Sequence, residues 1–405
     1  MKPRKTVVFS YQLLSNIGCE IIVRGTAAFL TQAFPDYDLT FIVSSYHVER
    51  DRAILNDMPN VKIVPMLGWK RIVRGLLIKS GLNKRFWTPR FATRHFRKAD
   101  LFVSIGGDIY TMFGDKPPED WLGYERFATA HGIPSMMFGA NMERFEVVSH
   151  ADRTRLLAHL HRFWLLAVRD AGTRDYLAHY GITENVEVFP DPIFTLRPQT
   201  TFRIGRIETI GFNISPYVVK KYGNAEIERL AAIAAELVER GYKLRLIPHV
   251  YATDKNPMID DRVALRSLYA ALPESIRGQV DLYDGPMSLR DMAREIGKVD
   301  LFIGVRMHAC LNAVTLGKPT FFLGYSAKAE TMVSWLTDHG PFAPVSASIA
   351  TAMVPTVSLE QLLIFITKQE NEERQETRID TAKFLSEAAI WQKIANADLF
   401  GEKKR

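Results

Sequence analysis

Two cationic residues lie directly after an apolar run that has the length of a buried parallel strand. Arg306 and His308 follow Leu301–Val305, and the helical pattern Ala309–Leu316 comes next. In such a unit, ligands bind outside the carboxyl end of the strand, where N–H groups of the next helix point at an anion. Arginine offers a planar fork of donors to a phosphate or carboxylate, and histidine transfers protons near neutral pH. We therefore expect an anion-binding site with a proton donor here.

Other residues suited to binding or catalysis follow three further predicted strands. They are Arg169 after Phe163–Val168, Gly106, Gly107 and Asp108 after Leu101–Ile105, and Lys328 soon after Thr320–Leu323. A second arginine suits a ligand with two anionic groups, and an aspartate can act as a base or contact a hydroxyl. A single arginine at a strand end is more often part of a surface salt bridge, and a single histidine is more often structural. The shared position at strand ends is what favours a functional site.

Short apolar runs alternate with helical patterns along the chain, which is typical of an α/β fold with parallel sheets. The segment Glu226–Arg240, for example, has its apolar residues on one face and predicts an amphipathic helix. A chain of 405 residues is long for one core. We expect an N-terminal domain over 1–195, a C-terminal domain over 205–355, and helices over 356–405, with Pro190–Pro198 as the linker between the domains.

An internal repeat supports two similar Rossmann-like domains. Ala99–Val103 matches Val299–Ile303, and Gly132–Gly139 matches Gly317–Gly324. The loops that follow the two matching strands are expected to face one cleft. The alternative is that α/β units resemble one another in general.

Composition and missing motifs exclude several classes of protein. The chain is 47% hydrophobic and 24% charged, as in a folded globular protein, and its net charge of +7 favours anionic partners. Cys19 and Cys310 match no metal or redox spacing, and the apolar run Thr6–Phe9 is too short for a signal peptide or a membrane span. The motifs of P-loop NTPases, α/β-hydrolases, zincins and dinucleotide enzymes are absent. We expect a cytoplasmic enzyme without a metal or cofactor.

The segment 62–98 is basic and carries interleaved aromatic residues, among them Trp69 and Trp87. No acidic residue lies between Asp57 and Asp100. Such a mixture suits the surface of an anionic membrane, so we expect peripheral binding at the inner face of the membrane. The alternative is a solvated basic face that contacts an acidic glycan. Nucleic-acid binding is not expected, because no nucleic-acid-binding motif accompanies the segment.

In their order along the chain, these motifs resemble the polysaccharide pyruvyltransferase family over roughly residues 6–330. The family usually has three glycines before the aspartate and Arg-Leu-His, whereas this chain has Ile105-Gly-Gly-Asp108 and Arg306-Met-His308. The resemblance rests on Asn16-Ile-Gly18-Cys-Glu20, Gly106-Gly107-Asp108, Val168-Arg169-Asp170 with Thr173, Asp191-Pro192, Arg306-Met307-His308, Gly317-Lys-Pro319 and Tyr325-Ser-Ala-Lys328.

The resemblance implies a glycosyltransferase-B-like pair of Rossmann-like domains that transfers the pyruvyl group of phosphoenolpyruvate to two hydroxyls of a sugar. The product is a cyclic ketal in a surface polysaccharide, an exopolysaccharide or a lipid-linked precursor. It further implies His308 as general acid, Asp108 as base or acceptor contact, an acceptor side in the N-terminal domain and a donor side in the C-terminal domain. The expected substrate-binding residues are Arg169, Arg306, Lys328, Asn16, Gly106 and Gly107.

Two other interpretations of these residues stay open. A nucleotide-sugar-dependent glycosyltransferase of the same architecture would bind a diphosphate through Arg306 and His308. A non-catalytic glycan-binding protein would bind sugar tightly without turnover. The sequence predicts neither the acceptor sugar nor the oligomeric state.

Overall fold

The computed structural model describes most of the chain. Most of the basic segment 62–98 lies outside the described residues, and so do Pro190 and Ala327. The described residues are 1–10, 13–65, 93–112, 114–117, 119–189, 191–203, 205–251, 258–285, 287–326, 328–371 and 376–400.

The chain divides into two compact units. The first unit comprises Met1–Leu14, Ile22–Pro192 and Ser386–Arg405, and the second comprises Ser15–Ile21 and Ile193–Leu385. The predicted C-terminal segment 356–405 is therefore divided between the two units.

The first unit has nine strands and six helices before the boundary at Pro192, counted over the described residues. The strands are β1 (Arg4–Phe9), β2 (Asp38–Ser45), β3 (Val61–Pro65), β4 (Leu101–Ile105), β5 (Tyr110–Thr111), β6 (Ser135–Ala140), β7 (Met142–Glu143), β8 (Leu165–Val168) and β9 (Val186–Val188). The helices are α1 (Ile17–Ala33), whose first residues belong to the second unit, α2 (Val48–Ile54), α3 (Thr93–Phe96), α4 (Glu119–Ala130), α5 (His150–Leu160) and α6 (Ala171–His179).

Seven of these strands form one parallel sheet in the order β3-β2-β1-β4-β6-β8-β9. This is a Rossmann-like order, in which the chain returns to the centre after the third strand. All side chains of β4, β6 and β8 are buried, as in a sheet that is covered on both faces. The short strands β5 and β7 pair with each other in the segments that follow β4 and β6.

The second unit continues with eight strands and eight helices in its described residues. The strands are β10 (Gln199–Arg203), β11 (Thr209–Asn213), β12 (Lys243–Leu246), β13 (Val280–Leu282), β14 (Leu301–Gly304), β15 (Thr320–Gly324), β16 (Ile349–Met353) and β17 (Glu376–Asp380). The helices are α7 (Pro216–Tyr222), α8 (Ala225–Glu239), α9 (Asp261–Ala271), α10 (Leu289–Gly297), α11 (Met307–Thr315), α12 (Lys328–Ser334), α13 (Leu359–Asn371) and α14 (Thr381–Glu387), which ends two residues into the first unit. A last helix, α15 (Ala389–Ala395), belongs to the first unit.

The main sheet of the second unit is also parallel, with the order β13-β12-β11-β14-β15-β16. This is again the Rossmann-like order. Helix α8 buries the face that the sequence predicts, with Ile227, Leu230 and Leu237 in the core. No helix in the described ranges is long and apolar enough to cross a membrane.

The predicted internal repeat is confirmed by equivalent hydrogen bonds in the two sheets. In the first unit, the carboxylate of Asp100 accepts the N–H of Thr6 at 2.8 Å, and its N–H donates to the carbonyl of Thr6 at 2.8 Å. In the second unit, Asp300 makes the same two bonds with Thr209, at 2.9 and 2.8 Å. Each aspartate therefore fixes the register between the first and fourth strands of its sheet.

The C-terminal part of the chain differs from the expected run of helices. Helices α13, α14 and α15 are present, but the charged segment Glu376–Asp380 forms strand β17 and pairs antiparallel with β10. The partner of β17 lies far away in the sequence, so a local helical pattern could not reveal it. The segment predicted as a linker is also packed, since Asp191 and Ile193 are fully buried and Pro192–Thr195 forms a 3-10 turn.

Candidate functional site

Arg306 is held at the carboxyl end of β14 by a buried carboxylate. Its Nε and Nη2 atoms donate to Asp261 at 3.0 and 2.7 Å, and Nη2 also donates to the carbonyl of Ile259 at 3.2 Å. Asp261 is fully buried, and 12% of the Arg306 side chain is exposed. Burial opposes the charge of Arg306, but the adjacent Asp261 carboxylate outweighs it and raises the pKa. The guanidinium thus stays charged in one orientation.

One nitrogen of this guanidinium remains for a ligand. The Nη1 atom of Arg306 makes no hydrogen bond with the described residues. The backbone N–H of Arg306 donates to Oδ1 of Asn213 at 3.1 Å, and Asn213 ends the neighbouring strand β11. The Arg306 guanidinium also lies 5.2 Å from the ring centroid of Tyr217, within cation–π distance. These contacts place a charged, partly accessible donor at the strand end, as the sequence predicts.

His308 lies in the first turn of α11 and packs against the segment that begins α1. A Cβ atom built on Gly18 would lie 2.7 Å from Nδ1 of His308, so only a glycine leaves room for the ring. The side chain of Asn16 accepts the N–H of Gly18 at 3.0 Å and thereby shapes this turn. The structure therefore brings the predicted site residues Asn16, Arg306 and His308 together in the second unit.

Asn16 belongs to a different unit from the one that the sequence predicts. The domain boundaries expected from the sequence place it in 1–195, whereas Ser15–Ile21 group with the second unit. The physical reason is backbone pairing, because Asn16 forms a β-bridge with Val250 and Ile17 donates to the carbonyl of His249 at 3.4 Å.

His249 is a second histidine beside His308, and it was not among the predicted site residues. The two imidazole rings are parallel within 7°, with centroids 6.2 Å apart. The backbone N–H of His249 donates to Asp261 at 3.0 Å, so the carboxylate that holds Arg306 also holds this residue. Burial lowers the pKa of His249 well below its usual value, and the charges of His308 and Arg306 lower it further.

Lys328 is the last residue of the motif Tyr325-Ser-Ala-Lys328 and begins helix α12. It is half-buried, and nearby Tyr325 stacks with Tyr217 at a centroid distance of 6.4 Å. Lys221 donates from Nζ to the carbonyl of Tyr325 at 2.5 Å. Tyr217 therefore connects the Tyr325 segment to the Arg306 guanidinium.

Arg169 occupies an equivalent kind of setting in the first unit, after strand β8. Its Nη1 atom donates to Oδ1 of Asn141 at 3.2 Å, and its Nε atom lies 3.3 Å from the carboxylate of Asp191. Both Asp191 and Arg169 are buried. A Cβ atom on Gly107 would lie 3.0 Å from Nη2 of Arg169, which explains why a glycine suits this position. Gly107 and Arg169 thus come together as predicted site residues.

The loop after β4 carries the other predicted residues of the first unit. Gly106 has a φ angle of 145°, a conformation that residues with a side chain rarely adopt. The N–H of Asn141 donates to the carbonyl of Gly107 at 2.7 Å, and Asp108 is exposed at the end of the loop. The predicted position of Asp108 after the strand is therefore correct, and its role as a base stays a prediction.

A series of buried hydrogen bonds connects the segment after β4 to helices α4 and α5. The Tyr110 hydroxyl lies 2.8 Å from Nε2 of His159, and Nδ1 of His159 lies 2.8 Å from the carboxylate of Glu125. Burial alone would raise the pKa of Glu125, but hydrogen bonds from His159, Arg162 and Thr129 outweigh it and lower the pKa to about 2. Burial lowers the pKa of His159, so its ring is neutral.

Four polar residues that frame the two arginines were not predicted as site residues. They share a position beside an arginine that ends a strand, and only Asp191 lies in a motif quoted above. The set is Asp191 and Asn141 around Arg169, and Asp261 and Asn213 around Arg306. The position of Asn213 at the end of an apolar strand was a usable signal. Asp261 had none, because Asp260-Asp261 before an amphipathic pattern reads as a helix cap.

The second unit thus contains three groups suited to catalysis around one turn of the chain. They are the fixed, charged guanidinium of Arg306, the buried neutral imidazole of His249 and the imidazole of His308. Arg306 can bind a phosphate or carboxylate, and a histidine beside that anion can exchange a proton with it or with a neighbouring carbon. The first unit presents another arginine, buried and held by Asn141 and Asp191 beside Gly107. Such an inventory suits the transfer of a group from an anionic donor.

The fold is similar to that of solved UDP-GlcNAc 2-epimerases. The enzyme from Methanocaldococcus jannaschii has a TM-score of 0.55 and 12% identity, over 94% of this chain and 98% of that chain. The enzyme from Neisseria meningitidis, bound to UDP-GlcNAc, has a TM-score of 0.51 and 11% identity, over 98% and 96%. At such identities the likeness shows the fold alone. It confirms the predicted α/β class, with Rossmann-like units of the glycosyltransferase-B-like kind.

Curated proteins and family models give different results. No curated protein matches the sequence. The model of the family "Polysaccharide pyruvyl transferase" matches residues 16–327, a span that contains Asn16, the glycine loop, Arg169 and the Arg306–His308 turn. The resemblance inferred from the motifs is confirmed, and the chain belongs to the polysaccharide pyruvyl transferase family.

Proposed function

We propose that this protein transfers the pyruvyl group of phosphoenolpyruvate to two hydroxyls of a saccharide and forms a cyclic ketal. Membership of the family supports transfer of a pyruvyl group in polysaccharide synthesis. The observation that carries the choice of donor is the Arg306 guanidinium, which Asp261 orients while Nη1 remains for a ligand, two residues before His308 in the chain. Phosphoenolpyruvate supplies a phosphate and a carboxylate, the two groups that a guanidinium binds best.

The donor is bound mainly by its two anionic groups in this proposal. Arg306 contacts one of them, and Arg169 is assigned to substrate binding from the family resemblance. The remaining predicted substrate-binding residues are assigned from the same resemblance and from their places at strand ends. They are Asn16, Gly106, Gly107 and Lys328. No cofactor or metal is part of the proposal.

His308 begins the reaction by giving a proton to C3 of the donor. The electron pair of the C2–C3 double bond forms the new C3–H bond, so C2 becomes electrophilic. One sugar hydroxyl attacks C2, the C2–O bond to phosphate breaks, and the second hydroxyl attacks the same carbon. One hydroxyl proton replaces the proton used at C3, and the other leaves with inorganic phosphate. Proton transfer of this kind contributes typically ~10²–10⁴-fold to the rate. Asp108 is proposed as an acceptor contact or base.

The proposed acceptor is a surface polysaccharide, an exopolysaccharide or a lipid-linked precursor on the cytoplasmic side of the membrane. The basic segment 62–98 would then contact anionic lipid, with each charge contributing ~1 kcal/mol near the surface. Co-sedimentation with anionic vesicles should fall with added salt and with Lys70, Arg71 and Arg74 changed to Glu. Binding that ignores lipid charge would contradict the membrane part of the proposal and leave the donor assignment intact.

An assay of phosphate release tests the donor. The enzyme is incubated with phosphoenolpyruvate and a panel of methyl hexopyranosides, and in parallel with UDP-sugars and the same panel. We expect inorganic phosphate and a mass gain of one pyruvyl ketal on a sugar only in the first set. Transfer from a UDP-sugar without consumption of phosphoenolpyruvate would identify a glycosyltransferase instead. Mass spectrometry of the surface glycan with and without the gene extends the test to the natural acceptor.

A further inference from the structure

One ring nitrogen of His249 has no hydrogen-bond partner in the part of the chain that the structure describes. Only 2% of the residue is exposed, and its Nε2 atom has no hydrogen bond among the described residues. Buried polar atoms in native proteins nearly always have a partner, so an exception calls for an explanation. The ring lies parallel to that of His308, which suggests an explanation in terms of the ligand.

The other ring nitrogen determines where the proton of neutral His249 lies. Nδ1 is 3.0 Å from the sulfur of Met292. A thioether sulfur has no proton and can only accept, so Nδ1 carries the hydrogen. The unpartnered Nε2 of neutral His249 is therefore a lone pair that can accept a hydrogen bond or a proton. The side chain is suited to a hydroxyl and unsuited to a phosphate oxygen, which is itself an acceptor.

We propose that His249 is the proton acceptor for the first attacking hydroxyl, and that His249 and His308 form an acid–base pair that holds one proton. This inference rests on the proposed function and assigns a residue to a step that it leaves open. Nothing in the sequence motifs or in the family resemblance points to His249.

His249 and His308 together hold the same number of protons before and after one turnover. His308 gives its proton to C3 of the donor as the C3–H bond forms. The hydroxyl oxygen then bonds to C2, and its proton moves to Nε2 of His249. The second hydroxyl loses its proton to the departing phosphate, which leaves as hydrogen phosphate. The pair holds one proton before and after these steps, and return of the proton from His249 to His308 resets the site.

The surroundings of His249 favour this order of events. Burial and the charges of His308 and Arg306 keep the His249 ring neutral before the reaction starts. When His308 has given up its proton, one of the two opposing charges disappears at the moment when His249 must accept. The backbone of His249 is fixed by the carboxylate of Asp261, which also fixes Arg306, so donor site and acceptor imidazole keep their spacing.

Two readouts separate the roles of the two histidines. With phosphoenolpyruvate alone in D₂O, loss of the vinyl proton signals in NMR reports reversible protonation at C3. Phosphate release with glycerol and the methyl hexopyranosides reports the complete reaction. The variants are His249→Gln, which retains a hydrogen-bonding amide but takes up no proton, His308→Gln, and His339→Gln as a control at an exposed histidine of the same unit.

We expect His249→Gln to keep vinyl exchange within about threefold of the wild type while phosphate release falls ~10²–10⁴-fold. His308→Gln should lose both, and His339→Gln should keep both. Phosphate release by His249→Gln at the wild-type rate would overturn the proposal, as would loss of exchange equal to that of His308→Gln. A wild type that neither exchanges nor consumes phosphoenolpyruvate would instead reject the proposed function.

The tautomer provides a test that needs no acceptor sugar. Long-range ¹H–¹⁵N spectra of the imidazole rings in the whole protein should show His249 neutral and protonated at Nδ1 at pH 7. Met292→Leu removes the sulfur acceptor and should shift His249 toward a mixture of tautomers. A His249 ring protonated at Nε2 in the wild type would contradict its role as proton acceptor, whether or not a sugar substrate is at hand.

Discussion

Gly18 lies directly against the imidazole ring of His308. A Cβ atom at this position would come within 2.7 Å of Nδ1, closer than real Cβ atoms approach, and within 3.1 Å of Cγ. The glycine is therefore required by a neighbouring side chain and not by its own backbone angle. Without a side chain at Gly18, the start of α1 can pack directly against the His308 ring without displacing it.

Gly18→Ala should lower activity by displacing the His308 ring. A displacement of about 1 Å costs ~10²-fold in rate, so we expect kcat with phosphoenolpyruvate to fall to that extent while the protein stays folded. Steady-state kinetics with far-UV circular dichroism check this result. Gly297→Ala is the control, because nothing lies within 4 Å of its added methyl group and α10 should become slightly more stable. Equal activities of the two variants would show that the contact does not position His308.

Arg306→Lys should weaken donor binding because lysine keeps the charge but has no planar fork. Hydrogen bonds to charged groups contribute about 1.5–3 kcal/mol, so the KM for phosphoenolpyruvate should rise ~10–100-fold. Arg245→Lys is the matched control, since that arginine pairs with Glu295 and Asp281 and makes no contact with the proposed site. A donor KM unchanged in Arg306→Lys would remove this arginine from the donor site.

Asp261→Asn should destabilise the protein and the site together. Removing one partner of a buried ion pair leaves an uncompensated charge, so the free energy of unfolding should fall by about 3–5 kcal/mol. Urea titration measures this change. Asp281→Asn, at an exposed carboxylate, should cost less than about 1 kcal/mol. If both substitutions cost the same, the buried pair contributes no more to stability than a surface one.

Stability should fall in acid because of the buried Glu125–His159 pair. The pKa of Glu125 is lowered from 4.5 to about 2, so its contribution is complete above pH 4.5 and is lost as pH falls toward 2. The pKa of His159 is lowered from 6.5, so the unfolded chain takes up this proton first and stability declines below pH 6.5. Urea midpoints between pH 6.5 and 4.5 should fall less steeply in His159→Gln, because this window lies above the range in which Glu125 titrates. An unchanged acid slope in this variant would contradict the assignment.

The elements that could be predicted are those with a local pattern. Strand β4 has its predicted bounds, and β14 and α11 lie within two residues of the prediction, because apolar runs and helical spacing are visible in a short window. The positions of Arg306 and His308 after β14 followed from the same pattern. Loop positions could be named because the carboxyl ends of parallel strands are where side chains converge.

The elements that could not be predicted depend on contacts between distant segments. Strand β17 needs Gln199 opposite Asp380, and its own charged sequence looks like a solvated helix. Asp261 becomes a partner of Arg306 only when β12 and β14 are placed beside β11. His249 looks like an ordinary residue after a strand until the fold brings it beside His308. The roles of these residues depend on tertiary contacts, which cannot be inferred from a single sequence.

The matching aspartates at the starts of β4 and β14 have a consequence for engineering. Asp100 and Asp300 lock their sheets with the same bonds, yet the loops after the two strands carry different residues, Gly106–Asp108 in one unit and Arg306–His308 in the other. The residues before each strand, which fix the register, can therefore be kept while the loop after the strand is changed. A library can exchange or randomise the loops at the carboxyl ends of the strands while the two aspartates stay constant. The residues that bind and react with a substrate can then be varied without redesigning the sheets.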